Sequence, residues 1–371
     1  MSNYLKDQII TYMGNKRKLI DIIEKELEEI KKKENKEKLK IGDGFAGSGI
    51  VSRLFKKGEK ELYTNDLAGY SKTLNECYLS SINKRELNKV KKYIDEANKK
   101  ADEGVIDMSE RWISRHWSPK DEEIKENERV YYTNKNGKRI DIMRNYIETI
   151  PEKYRSFLLG PLLVESSIHN NTNGQFGAYY KDKDGKKGEY GGKTKTDLKR
   201  ITQEIRIPYP VLDDGKCKVK ISQMDVNEWA KGLVDMDVVY YDPPYNKHPY
   251  NIYYFLLDVI NNWNKEEEVP ETNRGQSANR EKSLYNSTVY AKKALEELIN
   301  STDSKYIILS YNDGGIVPIK EMDELLNKDG KEVKKIGIDH KTYNRLKGLS
   351  NYKRTGEYKG VKEYLYVIKK M

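Results

Sequence analysis

Cysteine is nearly absent from this chain, with Cys77 and Cys217 the only two in 371 residues. So sparse and distant a pair excludes a disulfide framework or a cysteine-rich metal site and points to a reducing compartment. Histidine is almost as scarce. His116, His169, His248 and His340 show no metal-ligand spacing, so no metal is expected. Long apolar runs are missing as well: stretches such as Phe157 to Val164 are far too short to span a bilayer. The first residues, Met1-Ser2-Asn3-Tyr4-Leu5-Lys6-Asp7, lack a positive stretch followed by an apolar one. Together these absences predict a soluble, cytoplasmic protein with no membrane partner.

What is present is length and positive charge. The chain can bury a large catalytic domain plus a second unit. Its 69 Lys and Arg against 59 Asp and Glu give a formal charge of +10, which favours a polyanionic partner, nucleic acid first. A solvated basic surface is the plain alternative.

Hydrophobic spacing predicts a helix from Lys18 to Leu39, with Leu19, Ile22, Ile23, Leu27 and Ile30 on one face. Leu39-Lys40-Ile41 then runs as a strand into Gly42-Asp43-Gly44-Phe45-Ala46-Gly47-Ser48-Gly49, and Ile50 to Phe55 has helical spacing. A second strand, Glu61 to Thr64, ends at Asn65-Asp66, and helical spacing returns from Leu67 to Leu79. This opening is an α/β unit with a parallel sheet. From Ser80 to Lys218 the character changes to basic helical stretches, many aromatics and a Gly- and Lys-rich segment, which is read as an inserted domain. The α/β rhythm resumes with Lys218 to Ser222, then Met236 to Tyr241, the near-continuous apolar run of a buried central strand. A helix around Lys292 to Ile299 and strands at Tyr306 to Ser310 and Tyr364 to Ile368 follow.

Two places carry chemistry. The glycines from Gly42 to Gly47 follow a strand and open a helix, so the backbone can turn and approach a nucleotide-like ligand. Asp66 ends the next strand, where such folds place a carboxylate that accepts ribose hydroxyls. A turn serving only strand-to-helix packing is the alternative. The second place is Asp242-Pro243-Pro244-Tyr245, after the central strand, where open α/β sheets bind ligands. Two prolines forbid further pairing and fix the backbone. The Asp242 carboxylate and Pro243 carbonyl then offer two rigid acceptors to an exocyclic amine. Accepting both amine hydrogens aims the nitrogen lone pair at an incoming methyl, a displacement that needs positioning more than a strong base. Tyr245 is placed to stack on the base.

Taken together, these blocks resemble the DNA adenine methyltransferases of the Dam-like group, including restriction-modification enzymes of the FokI type. Tyr12-Met13-Gly14-Asn15-Lys16-Arg17-Lys18-Leu19 resembles the family's first motif, which implies that Tyr12 and Lys16 contact the methyl donor. Asp43-Gly44-Phe45-Ala46-Gly47-Ser48-Gly49 resembles the glycine motif around the donor's methionine moiety, implicating Asp43, Phe45, Gly47 and Gly49. Asn65-Asp66 resembles the ribose-binding motif, and Asp225 the acidic residue near the donor's adenine. Asp242 is shared between the donor and catalytic sites. Tyr253-Tyr254-Phe255-Leu256-Leu257 resembles a site-closing helix, Leu309-Ser310-Tyr311-Asn312 a later strand motif, and Gly174 to Tyr179 a family loop. Gly44 departs from the pattern, since relatives often carry Pro or Leu there.

The resemblance covers about residues 9 to 79 and 220 to 368. It implies a Rossmann-like methyltransferase fold, with a mostly parallel twisted sheet and helices on both faces. Residues 1–79 and 219–371 would form the catalytic domain, and 80–218 an inserted target-recognition domain. It further implies S-adenosyl-L-methionine as methyl donor, and duplex DNA with the target adenine flipped out. The enzyme would act alone or beside a cognate restriction endonuclease. The Asp-first run goes with adenine, where a Ser-first run goes with cytosine N4. Methylation of RNA, of cytosine N4 in DNA or of a protein amide, a nicotinamide-dependent oxidoreductase, and a non-catalytic nucleic-acid binder are the competing readings. Asn170-Asn171-Thr172-Asn173 invites a base-reading role but fits a plain turn better. Asn273 to Arg280 suits either a DNA-clamping loop or a linker. His248, three residues past Tyr245, is read as a bystander.

Overall fold

The computed structural model describes residues 3–121, 123–278, 283–328, 331–339 and 362–370. Along the chain the elements run α1 (Ile20–Glu34), β1 (Lys40–Asp43), α2 (Ile50–Gly58), β2 (Glu61–Asn65), α3 (Gly69–Tyr78), α4 (Lys84–Glu103), α5 (Ile113–His116), α6 (Asn134–Thr149), α7 (Glu152–Ile168) and α8 (Leu198–Thr202). They continue with β3 (Lys218–Ser222), α9 (Val226–Lys231), β4 (Met236–Tyr241), α10 (Tyr250–Asn262), α11 (Ala291–Ser301), β5 (Ser304–Asn312), α12 (Ile319–Leu326), β6 (Glu332–Asp339) and β7 (Lys362–Lys369). This is the α/β class expected from the sequence, with seven strands among the described residues, mixed and mostly parallel.

Two elements differ from the expectation for physical reasons. The first helix stops at Glu34 rather than Leu39, because Asn35 turns left-handed (φ 49°) and its N–H closes the helix on the Lys31 carbonyl. β6 carries Lys334 and Lys335 at the edge of its sheet, where lysines discourage pairing with other chains and mask the strand pattern.

The chain divides into two compact units. The first comprises Met1–Lys38, Ala46–Met224 and Tyr250–Glu281. In it β2 and β3 pair in parallel from Glu61↔Lys218 to Asn65↔Ser222, so both strands end together just before Asp66. Its core joins α3, α4, α6, α7 and α10 through residues such as Leu74, Ile94, Met143, Leu162 and Leu257. The 80–218 segment therefore shares a core with helices on either side of it in sequence. Gly160 lets α7 close on α3, since a Cβ there would lie 2.8 Å from Cys77 Cβ. Burial pushes the Cys77 thiol far above its usual range, which makes it an inert packing group.

The second unit comprises Leu39–Phe45, Asp225–Pro249 and Lys282–Met371. Its strands lie in the order β1-β4-β5-β7-β6. β4 is parallel to β1 and β5, whereas β7 is antiparallel to β5 and β6. Every residue of β4 is buried, as its apolar run predicts. The single charge within it, Asp237, accepts the Lys40 N–H at 2.8 Å, which offsets the cost of burying a carboxylate. Parallel pairing brings the carboxyl ends of β1 and β4 to the same side, so Gly44 and Asp242 leave the sheet there. No helix among the described residues is long and apolar enough to cross a membrane.

Candidate active site

In the first unit the turn into α2 is built on glycines. Gly49 caps α2 at φ 76° and donates its N–H to the Ala46 carbonyl at 2.7 Å. Gly47 sits at φ 50°, a region that favours glycine, and a Cβ there would meet Tyr12 Cε1 at 2.9 Å. Its N–H points to Asp66 Oδ2 at 2.7 Å, while Asp66 Oδ1 accepts from Ala68 N at 2.9 Å. Burial raises the Asp66 carboxyl above its ordinary range, and the Ala68 and Gly47 amides pull it back. The Ser71 side chain and the Leu67 amide act in the same direction.

The Tyr12–Lys16 segment lies on this turn. The Asn15 side chain accepts the Arg17 N–H at 2.9 Å and approaches Ser48 Oγ at 3.5 Å. Lys16 is buried, with its Nζ 2.9 Å from the Gly14 carbonyl. Upstream, the buried Arg53 of α2 donates to the carbonyls of Tyr4, Asp7 and Gln8 at 3.1, 2.9 and 2.7 Å. It lies 3.8 Å over the Tyr78 ring. The first unit thus brings together Tyr12, Lys16, Gly47, Gly49 and Asp66.

The second unit holds the remaining predicted residues. Gly44 N donates to the Tyr240 carbonyl at 3.0 Å, extending the β1–β4 ladder. A side chain at Gly44 would collide with the Tyr241 ring, 2.5 Å from its Cε1. The glycine at this position therefore matches the tyrosine that packs against it. Asp43 is fully buried. Phe45 sits edge-on to Tyr241 and Tyr285, with centroids at 6.2 and 5.2 Å. Asp225 caps α9, its Oδ1 accepting from Asn227 N at 2.9 Å and Glu228 N at 3.3 Å. Asn227 in turn accepts from the Tyr285 hydroxyl at 2.7 Å, linking Asp225's helix to the aromatic group around Phe45.

Asp242, Pro243, Pro244 and Tyr245 follow directly on β4. Asp242 is half-buried, and Tyr245 is buried with its ring edge-on to Tyr311 (5.8 Å, 75°). Tyr245's carbonyl accepts from Ile316 N at 3.0 Å, and the next carbonyl, of Asn246, takes the Asn286 side-chain amide at 2.6 Å. The Asp242–Tyr245 run is thus held on both a ring and its main chain. Sequence reasoning did not single out Tyr285 or Asn286, which lie outside any periodic pattern. Nor did it single out Tyr250, although Tyr250 and Tyr254 share a helical i, i+4 spacing.

Other singled-out residues serve structure. Asn170 and Asn171 are fully buried and bonded to main chain: Asn170 Nδ2 to Ser167 O at 2.7 Å, Asn171 Nδ2 to Val130 O at 2.9 Å. They form a turn rather than a base-reading surface. The start of the Asn273–Arg280 segment is anchored, with Trp117 Nε1 on the Arg274 carbonyl at 2.8 Å and Arg129 Nε on that of Thr272 at 3.0 Å. Asn279 and Arg280, like His340, lie outside the described residues. His248 is exposed, and His169 is bound to Glu165 and the Arg200 carbonyl.

Comparison with known proteins places the chain in a family. A family model for D12 class N6 adenine-specific DNA methyltransferases matches residues 12–325. The chain is 28% identical over 369 residues to the type II methyltransferase M.NlaIII of Neisseria lactamica, covering 97% of this chain and 99% of that protein. It is 26% identical over 368 residues to M.CviAII of Paramecium bursaria Chlorella virus 1, covering 97% and 98%. M.FokI of Planomicrobium okeanokoites matches at 26% over 330 residues, but this chain spans only 47% of it.

Proposed function

Because the chain belongs to the D12 class of N6 adenine-specific DNA methyltransferases, we propose that it draws the methyl group from S-adenosyl-L-methionine and places it on adenine in one short DNA sequence. The observation that carries this reading is the catalytic run itself. Asp242-Pro243-Pro244-Tyr245 leaves a wholly buried parallel strand at its carboxyl end, with ring and main chain fixed.

The residues fit the donor by their chemistry. Asp66, beside the glycine turn, is suited to the ribose hydroxyls, and Lys16 to the donor's carboxylate; Tyr12, Asp43, Phe45, Gly47, Gly49, Asp225 and Asp242 complete the assignment. When bound, S-adenosyl-L-methionine supplies an electrophilic methyl on a sulfonium. The chain's own work is orientation. Asp242 and the Pro243 carbonyl would accept hydrogen bonds from the two N6 hydrogens, Tyr245 would stack on the extruded base, and the proton that N6 loses on methylation would leave along its hydrogen bond to the Asp242 carboxylate.

Residues 80–218 are assigned to target recognition, with their exposed Lys and Arg side chains suited to phosphates and base edges. The likeness to M.NlaIII and M.FokI supports a restriction-modification setting with a cognate endonuclease, and the reduced cysteines fit the cytoplasm. Long-read sequencing of DNA from a host expressing the chain tests the proposal. N6-methyladenine in a single context is expected; its absence, with folded protein and donor present, refutes it.

A further inference from the structure

Three sequence blocks meet on α10 in the first unit. The helix breaks at Tyr254 (φ −126°, ψ 15°). At the break the Tyr253 carbonyl accepts the Phe176 N–H at 2.7 Å, an acceptor that an unbroken helix would spend on the amide four residues on. Phe176 belongs to the Gly174–Tyr179 loop of the recognition segment. On the other side, the Tyr254 hydroxyl accepts the Met13 N–H at 2.6 Å, and its ring stacks on Tyr12 at 4.6 Å and 22°. Tyr250, one turn earlier, also stacks on Tyr12 at 5.2 Å and 12°. Of these two, Tyr254 is buried, and its hydroxyl is bonded to the main chain of the segment between Tyr12 and Lys16.

We propose that Tyr254 is a positioning residue for methyl-donor binding, fixing Tyr12 by its ring and the path toward Lys16 by its hydroxyl. Tyr12 is then held between Tyr254 and the glycine turn, where Gly47 leaves room for it. Because the same break in α10 receives the Phe176 amide, the recognition loop and the donor segment are fastened to adjacent residues of one helix. This inference rests on the assignment of Tyr12 and Lys16 to the donor.

Tyr254→Phe in the full chain tests it, because the ring stack survives while the bond to Met13 is lost. Calorimetric titration with S-adenosyl-L-methionine should show affinity weakened about five- to tenfold, the size of one lost hydrogen bond. The donor KM should rise in step, with kcat at saturating donor within about twofold and the thermal midpoint nearly unchanged. Tyr254→Leu, which also loses the stack, should weaken binding further. Unchanged donor affinity and KM in Tyr254→Phe overturn the proposal. So does a parallel fall of kcat, affinity and thermal midpoint, which would mark the ring as core filling alone. Tyr12→Ala separates the two levels of the argument. If it leaves donor affinity intact, the donor assignment falls and this inference with it; if it weakens affinity while Tyr254→Phe does not, this inference alone falls.

Discussion

Asp66 and Gly47 are joined by a 2.7 Å hydrogen bond from the glycine amide to Asp66 Oδ2. The carboxylate that follows β2 therefore shapes the turn into α2 as well as offering lone pairs of its own. Asp66→Ala removes both functions, and a donor affinity reduced about ten- to a hundredfold is expected from the charge-assisted bonds lost. Asp242→Ala should abolish transfer while weakening donor binding less, because the proposed role of Asp242 is to face the target amine. Calorimetry on the two variants, beside a methyl-transfer assay, checks the contrast; transfer by Asp242→Ala at the parent rate refutes its role.

Gly44 is closed to any side chain by Tyr241. Gly44→Ala places a Cβ 2.5 Å from the ring and should cost about 1–3 kcal/mol, as overpacked sites do. Tyr241→Leu made together with Gly44→Ala should recover part of that loss, although Tyr241 also gives up its 2.7 Å contact with Thr302 Oγ1. Denaturant unfolding of the two single variants and the double variant measures the coupling; strict additivity contradicts the steric account.

Two groups at α5, the half-buried His116 and the buried Asp141, pull acid stability in opposite directions. Burial, with the Arg115 and Arg129 cations, lowers His116 to about 4. Its contribution is fully present above about 6.5 and is lost as pH falls toward 4. Burial instead raises Asp141 to about 6, although the Ser114 hydroxyl and the Ser114 and Ile113 amides oppose the shift. That contribution is present below about 3.9 and is lost as pH rises through 6. His116→Phe should therefore flatten the acid-side fall in thermal midpoint between pH 6.5 and 4, and Asp141→Asn should steepen it. Thermal melts across that range decide it; parallel profiles in parent and variants exclude both groups.

The elements that position the site were readable because each has a local cause. β4 shows as an apolar run ended by two prolines, and β3 and β4 begin and end where the sequence places them. Gly47 and Asp66 were legible from spacing alone. The supports of the site were not. Tyr311 and Ile316 reach Tyr245 across more than sixty residues, and Phe176 reaches Tyr253 across more than seventy. Such contacts arise from how elements pack and leave no periodic trace. With 29 tyrosines in the chain, composition gives no reason to prefer Tyr250 or Tyr285 over the rest.

Tyr311 is where such a hidden support meets catalysis. Its ring stands edge-on behind Tyr245, and its hydroxyl accepts the Val317 N–H at 2.9 Å, one residue past the Ile316 amide that binds Tyr245's carbonyl. Ring and main chain of Tyr245 thus depend on one short stretch after β5. An edge-to-face pair contributes about 0.5–1.5 kcal/mol beyond burial, and small displacements of a positioned group cost rate steeply. Tyr311→Leu should accordingly lower kcat by about tenfold or more while donor affinity stays near the parent value, since Tyr311 touches none of the residues proposed for the donor. Tyr311→Phe keeps the ring and loses the hydroxyl bond, so its kcat should lie between the two. Single-turnover transfer rates beside donor titrations measure both quantities. Donor affinity falling with kcat in Tyr311→Leu would mean that this tyrosine supports the donor as much as the target base, and the division of labour argued for Tyr245 would fail.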